Sequence, residues 1–179
     1  IERPNEVAAR AGMKARISLV VNPDVDAKTH PYISTGLKNN KFGIAVDRGM
    51  EVYRRAAALA HIEVMGVDCH IGSQLTDDAP LQEAMARIVA LADALASEDI
   101  RVHHVCPGGG IGITYKAEDA IDLNAYARAL EASLGDRSVE LRLEPGRVLV
   151  GNAGVLLSRG ECVKPNASKT FLVLDPAKN

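Results

Sequence analysis

The stretch LRLEPGRVLVGNAG, residues 141–154, decides how the rest of the chain is read. Leu141, Leu143 and the run Val148-Leu149-Val150 read as buried strand material. Between them an acid and a base, Glu144 and Arg147, stand three residues apart on a tight turn made by Pro145 and Gly146. Charges at the end of an apolar strand are costly unless something pairs them. Either the two satisfy one another as a local salt bridge, or something else sits against that turn.

Upstream, the apolar runs recur. Ile17 to Val21, Phe42 to Ala45, Ile62 to Val67, Val102 to Cys106 and Val139 to Leu143 all read as strands. Helical patterns lie between them. Glu51 to Ala60 follows a cap at Asp47. Pro80 to Ala96 places Leu81, Met85, Ile88, Val89, Ala92 and Leu95 near a 3.6 period, with Asp77, Asp78 and Pro80 as start signals. Leu123 to Leu134 is a third helix, ending near Gly135. Alternating strands and helices argue for a parallel sheet covered by helices. The later strand ends are spaced about one β-α unit apart, on the scale of roughly 250 residues for eight units. The fold expected is α/β: five units of a (β/α)8 barrel lacking its first strands, with a doubly wound open sheet as the competing architecture. After Gly151 the rhythm changes. GVLLSRGECVK and KTFLVLD are two strand-like runs joined by the turn signal PNAS. We therefore divide the chain at 1–152, the barrel part, and 153–179, the start of a C-terminal β domain. The chain opens on Ile1 in a helical pattern and stops at LVLDPAKN, so both ends are expected to be cut from something longer.

Composition sets the outer bounds. The 179 residues are 47% apolar and 25% charged, ordinary for a globular chain with a sizeable core. A net charge of -2 gives no nucleic-acid footprint and no membrane-surface patch. There is no apolar run of about 18 residues. Cys69, Cys106 and Cys162 are odd in number and widely spaced, so neither a disulfide framework nor a metal site is expected, and a reducing cytoplasm fits.

Four polar groups each follow the carboxyl end of a strand: NPD after Val21, DCHIGSQ after Val67, PGGGIG after Cys106 and EPGR after Leu143. Active sites of parallel α/β folds lie at that edge. Gly108, Gly109 and Gly110 let backbone N–H groups approach an anion, although a glycine run equally suits a tight turn. His70 could stack on a flat ring, act as acid or base, or cap a loop. Ser73 could donate a hydrogen bond to a phosphate or a carboxylate, or satisfy a turn. His61, His103 and His104 precede or begin strands and read as structural. Together the groups suit a phosphorylated aromatic cofactor with a ring nitrogen. The glycines would cradle its phosphate, His70 would face its ring, and Glu144 would keep the nitrogen protonated. That pattern predicts pyridoxal 5'-phosphate.

The segments NPDVDAKTHPYISTGLKNNKFGI, GVDCHIGSQ, GGGIGI and EPGRVLVGNAG resemble, in this order, the barrel domain of diaminopimelate decarboxylases, over roughly positions 14 to 174. These are fold-type III pyridoxal-phosphate enzymes, related to ornithine and arginine decarboxylases. The resemblance implies decarboxylation of meso-diaminopimelate to L-lysine by a full-length homodimer. His70 would lie over the cofactor ring and Ser73 near its phosphate. Gly108, Gly109 and Gly110 would bind the phosphate. Glu144 would meet the pyridine nitrogen, with Pro145 and Gly146 beside it. Arg147 would hold a carboxylate of the amino-diacid substrate, as its bidentate guanidinium allows. A related decarboxylase of the ornithine or arginine type, or a non-catalytic homologue, is the alternative.

Against the same family pattern the Schiff-base lysine, expected upstream, and the catalytic Cys of the β domain are missing. The chain alone is therefore expected to be inactive. Lys41 in NKFG does not stand at the Schiff-base position, and none of the three cysteines has the context of the catalytic one. Val20 replaces the usual Arg before V-N-P, Cys106-Pro107 replaces the usual lead into G-G-G, and Asp175-Pro176-Ala177-Lys178-Asn179 departs from the usual D-x-x-M-N-D. Pro107 removes one N–H at the entry to the glycine loop.

Overall fold

A computed structural model describes residues 1–27, 42–115 and 117–176. Lys41 and most of the 26–43 segment lie outside the described residues. The chain forms two units, Ile1–Val148 and Leu149–Asn179.

In the first unit the elements run α1 (Glu2–Arg10), β1 (Ala15–Asn22), β2 (Ile44–Ala45), α2 (Val46–Ala57), β3 (Ile62–Asp68), α3 (Ala79–Ala96), β4 (His104–Cys106), α4 (Leu123–Leu134) and β5 (Glu140–Leu141). A short helix, α5 (Arg147–Val150), follows. The five strands form one sheet in the order β2-β1-β3-β4-β5, every pair parallel.

Each helix forms for local reasons. Helix α3 starts where Asp77 Oδ1 accepts the Ala79 N–H at 3.0 Å and Pro80 occupies the first turn, where its missing N–H costs nothing. It ends where Asp99, at φ +62°, turns the chain and the Ile100 N–H donates to the Leu95 carbonyl. Helix α4 is capped by Asp122, whose Oδ1 accepts from the N–H groups of Asn124 and Ala125, and is closed by Gly135 at φ +57°. Both helices lie where the sequence places them. Helix α2 does not. It begins at Val46 rather than Glu51, so Asp47 is not its cap but sits in its first turn, where a carboxylate complements the helix dipole.

One face of the sheet carries the core. Val21, Val67, Cys69 and Val105 point into a cluster with Tyr53 of α2, Leu81, Met85, Ile88 and Leu95 of α3, and Tyr126 and Leu130 of α4. Each large aliphatic side chain buried there contributes about 1.5–3 kcal/mol. The intervening residues Ser18, Val20, Gly66, Asp68, His104 and Cys106 point to the other face and are absent from that cluster. Helix packing on one face and polar side chains on the other is how a barrel wall is built; a doubly wound sheet buries both faces.

Three expectations are corrected. Phe42–Ala45 is not a full strand. Only Ile44 and Ala45 pair, on the side of β1 away from β3, and Gly43 at φ +83° turns the chain so that Phe42 is 62% exposed. The units thus step from β1 directly to β3, and β2 is an edge addition rather than a step. The run Val148-Leu149-Val150 is helical, not strand. Pro145 and Gly146 end pairing after β5, and Leu149 and Val150 are each 66% exposed. Leu143 lies beyond β5 and is exposed, because the ladder ends at Leu141.

The second unit is an antiparallel hairpin of β6 (Gly160–Pro165) and β7 (Thr170–Leu174). Its turn closes with the Asn166 N–H donating to the Lys169 carbonyl at 2.8 Å, where PNAS signalled it. Residues 154–158 of the expected first run are not strand.

Candidate active site

The carboxyl ends of β3, β4 and β5 lead into three loops that touch. The contact depends on glycine. A Cβ on Gly109 would collide with the Glu144 carbonyl oxygen, one on Gly108 with the Cys69 carbonyl oxygen, and one on Gly110 with the Gly72 carbonyl oxygen. Gly108 and Gly110 also have φ of +84° and +92°. The loops are then joined by backbone hydrogen bonds. The Glu144 N–H donates to the Gly108 carbonyl at 3.0 Å, Gly109 and Glu144 form a parallel bridge, and the Leu75 N–H donates to the Gly110 carbonyl at 2.9 Å.

His70 sits where these loops meet. Its Nδ1 accepts the Gly109 N–H at 3.4 Å, which leaves the ring proton of the neutral imidazole on Nε2. A recess of about 180 Å³ is lined by His70, Ser73, Gln74, Gly110, Ile111, Glu144, Gly146 and Arg147. The structure thus gathers His70, Ser73, Gly110, Glu144, Gly146 and Arg147, with Gly108 and Gly109 immediately behind them. Pro145 does not line the recess.

Glu144 and Arg147 form no ion pair with each other among the described residues. Arg147 Nη1 instead donates to Gln74 Oε1 at 2.9 Å, and its guanidinium carbon stands 5.7 Å from the centre of the Tyr115 ring. What sits against the turn is therefore the glycine loop on the Glu144 backbone, and Gln74 with Tyr115 on Arg147. Neither Gln74 nor Tyr115 was singled out in the sequence. Gln74 lay in full view within HIGSQ, but nothing in sequence spacing ties it to residue 147.

Below the recess, the inner face of the sheet holds a second polar group. His104 is buried, and its ring lies across Gly66, where any Cβ would strike the imidazole. Its Nε2 stands 2.7 Å from Ser18 Oγ and 3.2 Å from Asp68 Oδ1. The contact with Ser18 is a hydrogen bond. Among the described residues, Asp68 Oδ1 and His104 Nδ1 make no hydrogen bond. Burial pushes the Asp68 carboxyl above its ordinary pKa; nearby His104 opposes this, and the Glu144 carboxylate adds to it. His104 is thus not remote, as its place before a strand suggested, but spans β1, β3 and β4 beneath the loops. Burial likewise raises the Cys106 thiol to about 11 and that of Cys69 well above its ordinary value.

Residues 2–151 match the family described as pyridoxal-dependent decarboxylase, pyridoxal binding domain. The whole chain is 58% identical to the diaminopimelate decarboxylase of Neisseria meningitidis serogroup A and covers 44% of it. It is 52% identical to that of Pseudomonas aeruginosa, covering 43%. Among solved structures, the diaminopimelate decarboxylase of Helicobacter pylori complexed with L-lysine aligns over 96% of this chain and 43% of its own, at 39% identity and a TM-score of 0.85. The chain spans less than half the length of these relatives.

Proposed function

The chain belongs to the pyridoxal-dependent decarboxylases, through their pyridoxal-binding domain, and on that premise we propose that it is the cofactor-holding part of a diaminopimelate decarboxylase. The complete protein would release carbon dioxide from meso-2,6-diaminopimelate to give L-lysine. The observation that carries this reading is the recess itself, where an imidazole, a glycine-built backbone cradle, a carboxylate and a guanidinium share one wall.

The residues fit the group that the family name implies. Gly108, Gly109 and Gly110 leave no room for a Cβ against the neighbouring loops, and Gly110 brings main chain to the wall of the recess, as phosphate recognition needs. Ser73 adds a hydroxyl donor. Glu144 is the acid available to hold a proton on a pyridine nitrogen, and His70 offers a flat face with Nδ1 already engaged by Gly109. When bound, pyridoxal phosphate supplies an electron sink for the pair left by departing carbon dioxide. Arg147 binds and orients a substrate carboxylate. The lysine that anchors the cofactor and the acid that returns a proton to carbon belong, in this reading, to other parts of the complete protein. So do the remainder of a β domain beginning at 153, a homodimeric assembly and a cytoplasmic setting. What supports the setting is that Cys69, Cys106 and Cys162 are all free thiols, as a reducing compartment keeps them.

The test is product analysis. The complete enzyme is given meso-diaminopimelate, ornithine and arginine in turn. The proposal expects carbon dioxide and L-lysine from the first, with little release from the others. Preferential release from ornithine or arginine would reassign the substrate, and no release from any would remove the enzymatic reading.

A further inference from the structure

Arg147 differs from the two arginines nearest before it in sequence. Arg142 holds Glu140 at 2.9 Å, and Arg137 holds Asp93 through two contacts of 2.8 Å. Among the described residues Arg147 has no carboxylate partner. Its contacts are a neutral oxygen, Gln74 Oε1, and the face of Tyr115. Neither contact cancels the charge.

Gln74 is built into its place. It is one of three non-glycine residues among those described with positive φ, at +59°, a conformation that holds only where surroundings enforce it. Its Nε2 donates to the Ile113 carbonyl at 2.5 Å, and its Oε1 stands 3.4 Å from the Ile113 N–H. Gly112, beside it, has no side chain to push the carboxamide away; a Cβ there would sit 3.1 Å from Gln74 Cδ. The clamp on Ile113 fixes which end of the amide is which. A carbonyl must face the NH2, so the amide oxygen must face Arg147. A flipped amide would set NH2 against guanidinium.

We propose that Gln74 is a positioning and specificity residue, a neutral acceptor that aims Arg147 into the recess while leaving its positive charge free for a ligand carboxylate. This rests on the decarboxylase reading for the identity of the ligand, but not for the geometry. A glutamate would neutralise the cation and, like an alanine, would give up the donor that the Ile113 carbonyl accepts from. An alanine would release the cation without neutralising it. A purely structural role would show in both variants as lost cofactor, because both give up the clamp on Ile113.

The experiment uses the holoenzyme with Gln74→Glu and Gln74→Ala. Cofactor occupancy is read by absorbance, kcat and KM are measured for meso-diaminopimelate, and pimelate, an unreactive seven-carbon dicarboxylate, is titrated by calorimetry. With cofactor occupancy retained, Gln74→Glu should raise KM and weaken pimelate by at least tenfold, with kcat within threefold. Gln74→Ala should have a smaller effect. The Gln74→Glu penalty should shrink as pH falls and the introduced carboxyl takes up a proton. Unchanged pimelate affinity in Gln74→Glu, a larger loss in Gln74→Ala, or loss of cofactor in step with loss of affinity would each overturn the proposal. If the unaltered holoenzyme does not turn over diaminopimelate, while pimelate binds and Gln74→Glu weakens it, the decarboxylase reading falls and the role of Gln74 stands.

Discussion

The two faces of the sheet obey different rules. On the helix face, Val21, Val67 and Val105 meet Leu81, Met85 and Ile88 in an apolar core, where shape and volume matter and charge is excluded. On the inner face and its rim, Gly66, Gly108, Gly109 and Gly110 carry no side chain, so that an imidazole or another backbone can come close. The first face supplies stability. The second uses the rigidity so gained to hold polar groups at fixed separations. Damage to one face should therefore be read by a melt, and damage to the other by a ligand.

The largest expected effect is at the rim. Gly109→Ala would force its new Cβ onto the Glu144 carbonyl, separating two loops that together form the recess. Pyridoxal phosphate binding, measured by equilibrium titration, should weaken by ~100-fold or more, because overpacking a close backbone contact must displace one partner. On the other face, Ile88→Ala should cost about 2–5 kcal/mol in urea denaturation through a cavity in the core. Its effect on cofactor affinity in the still-folded protein should be small. An Ile88→Ala variant that lost affinity more than stability would break the division between the faces.

Asp68 sharpens the contrast by pH. Burial raises its carboxyl pKa in the folded chain, so the fold holds that proton more tightly than the unfolded chain does. The resulting contribution is fully present below the ordinary carboxylate pKa of about 3.9 and is lost as pH rises through the folded value. Urea denaturation of Asp68→Asn across the acid range should lack this loss and gain on the unaltered chain as pH rises. An unchanged pH dependence would mean that Asp68 is solvated rather than buried beside His104. The smallest effect concerns thiols. Cys69 and Cys106 are buried and Cys162 is exposed. At neutral pH a thiol reagent should label Cys162 alone in the native chain and all three cysteines after denaturation. Rapid native labelling of Cys106, whose thiol is raised to about 11, would show that the loop above it opens.

The helix face was legible in the sequence because its signal is periodic. Leu81, Met85, Ile88 and Leu95 announce α3, and Asp122 and Gly135 bracket α4, since caps and apolar spacing are local properties. The short β2 and the helical Val148-Leu149-Val150 run were misread because an apolar run of three or four residues has no period long enough to separate strand from helix. At the site, His70, the glycines, Glu144 and Arg147 could be placed on one edge because each follows a strand. The Gln74–Arg147 contact spans 73 residues of sequence, and the His104–Ser18 contact spans 86. Both depend on which side chains face each other across neighbouring strands or loops, and no local pattern records that.

The central claim is that separate loops converge to hold one phosphorylated pyridine. It is tested most directly by titrating pyridoxal phosphate into the isotopically labelled chain and following the backbone amides by NMR. The amides of Ser73, Gly108, Gly109, Gly110 and Glu144 should move together along one saturation curve, with those of α3 and α4 unmoved. A folded chain whose amides respond elsewhere, or in which the glycine loop and Glu144 saturate at different concentrations, would contradict it.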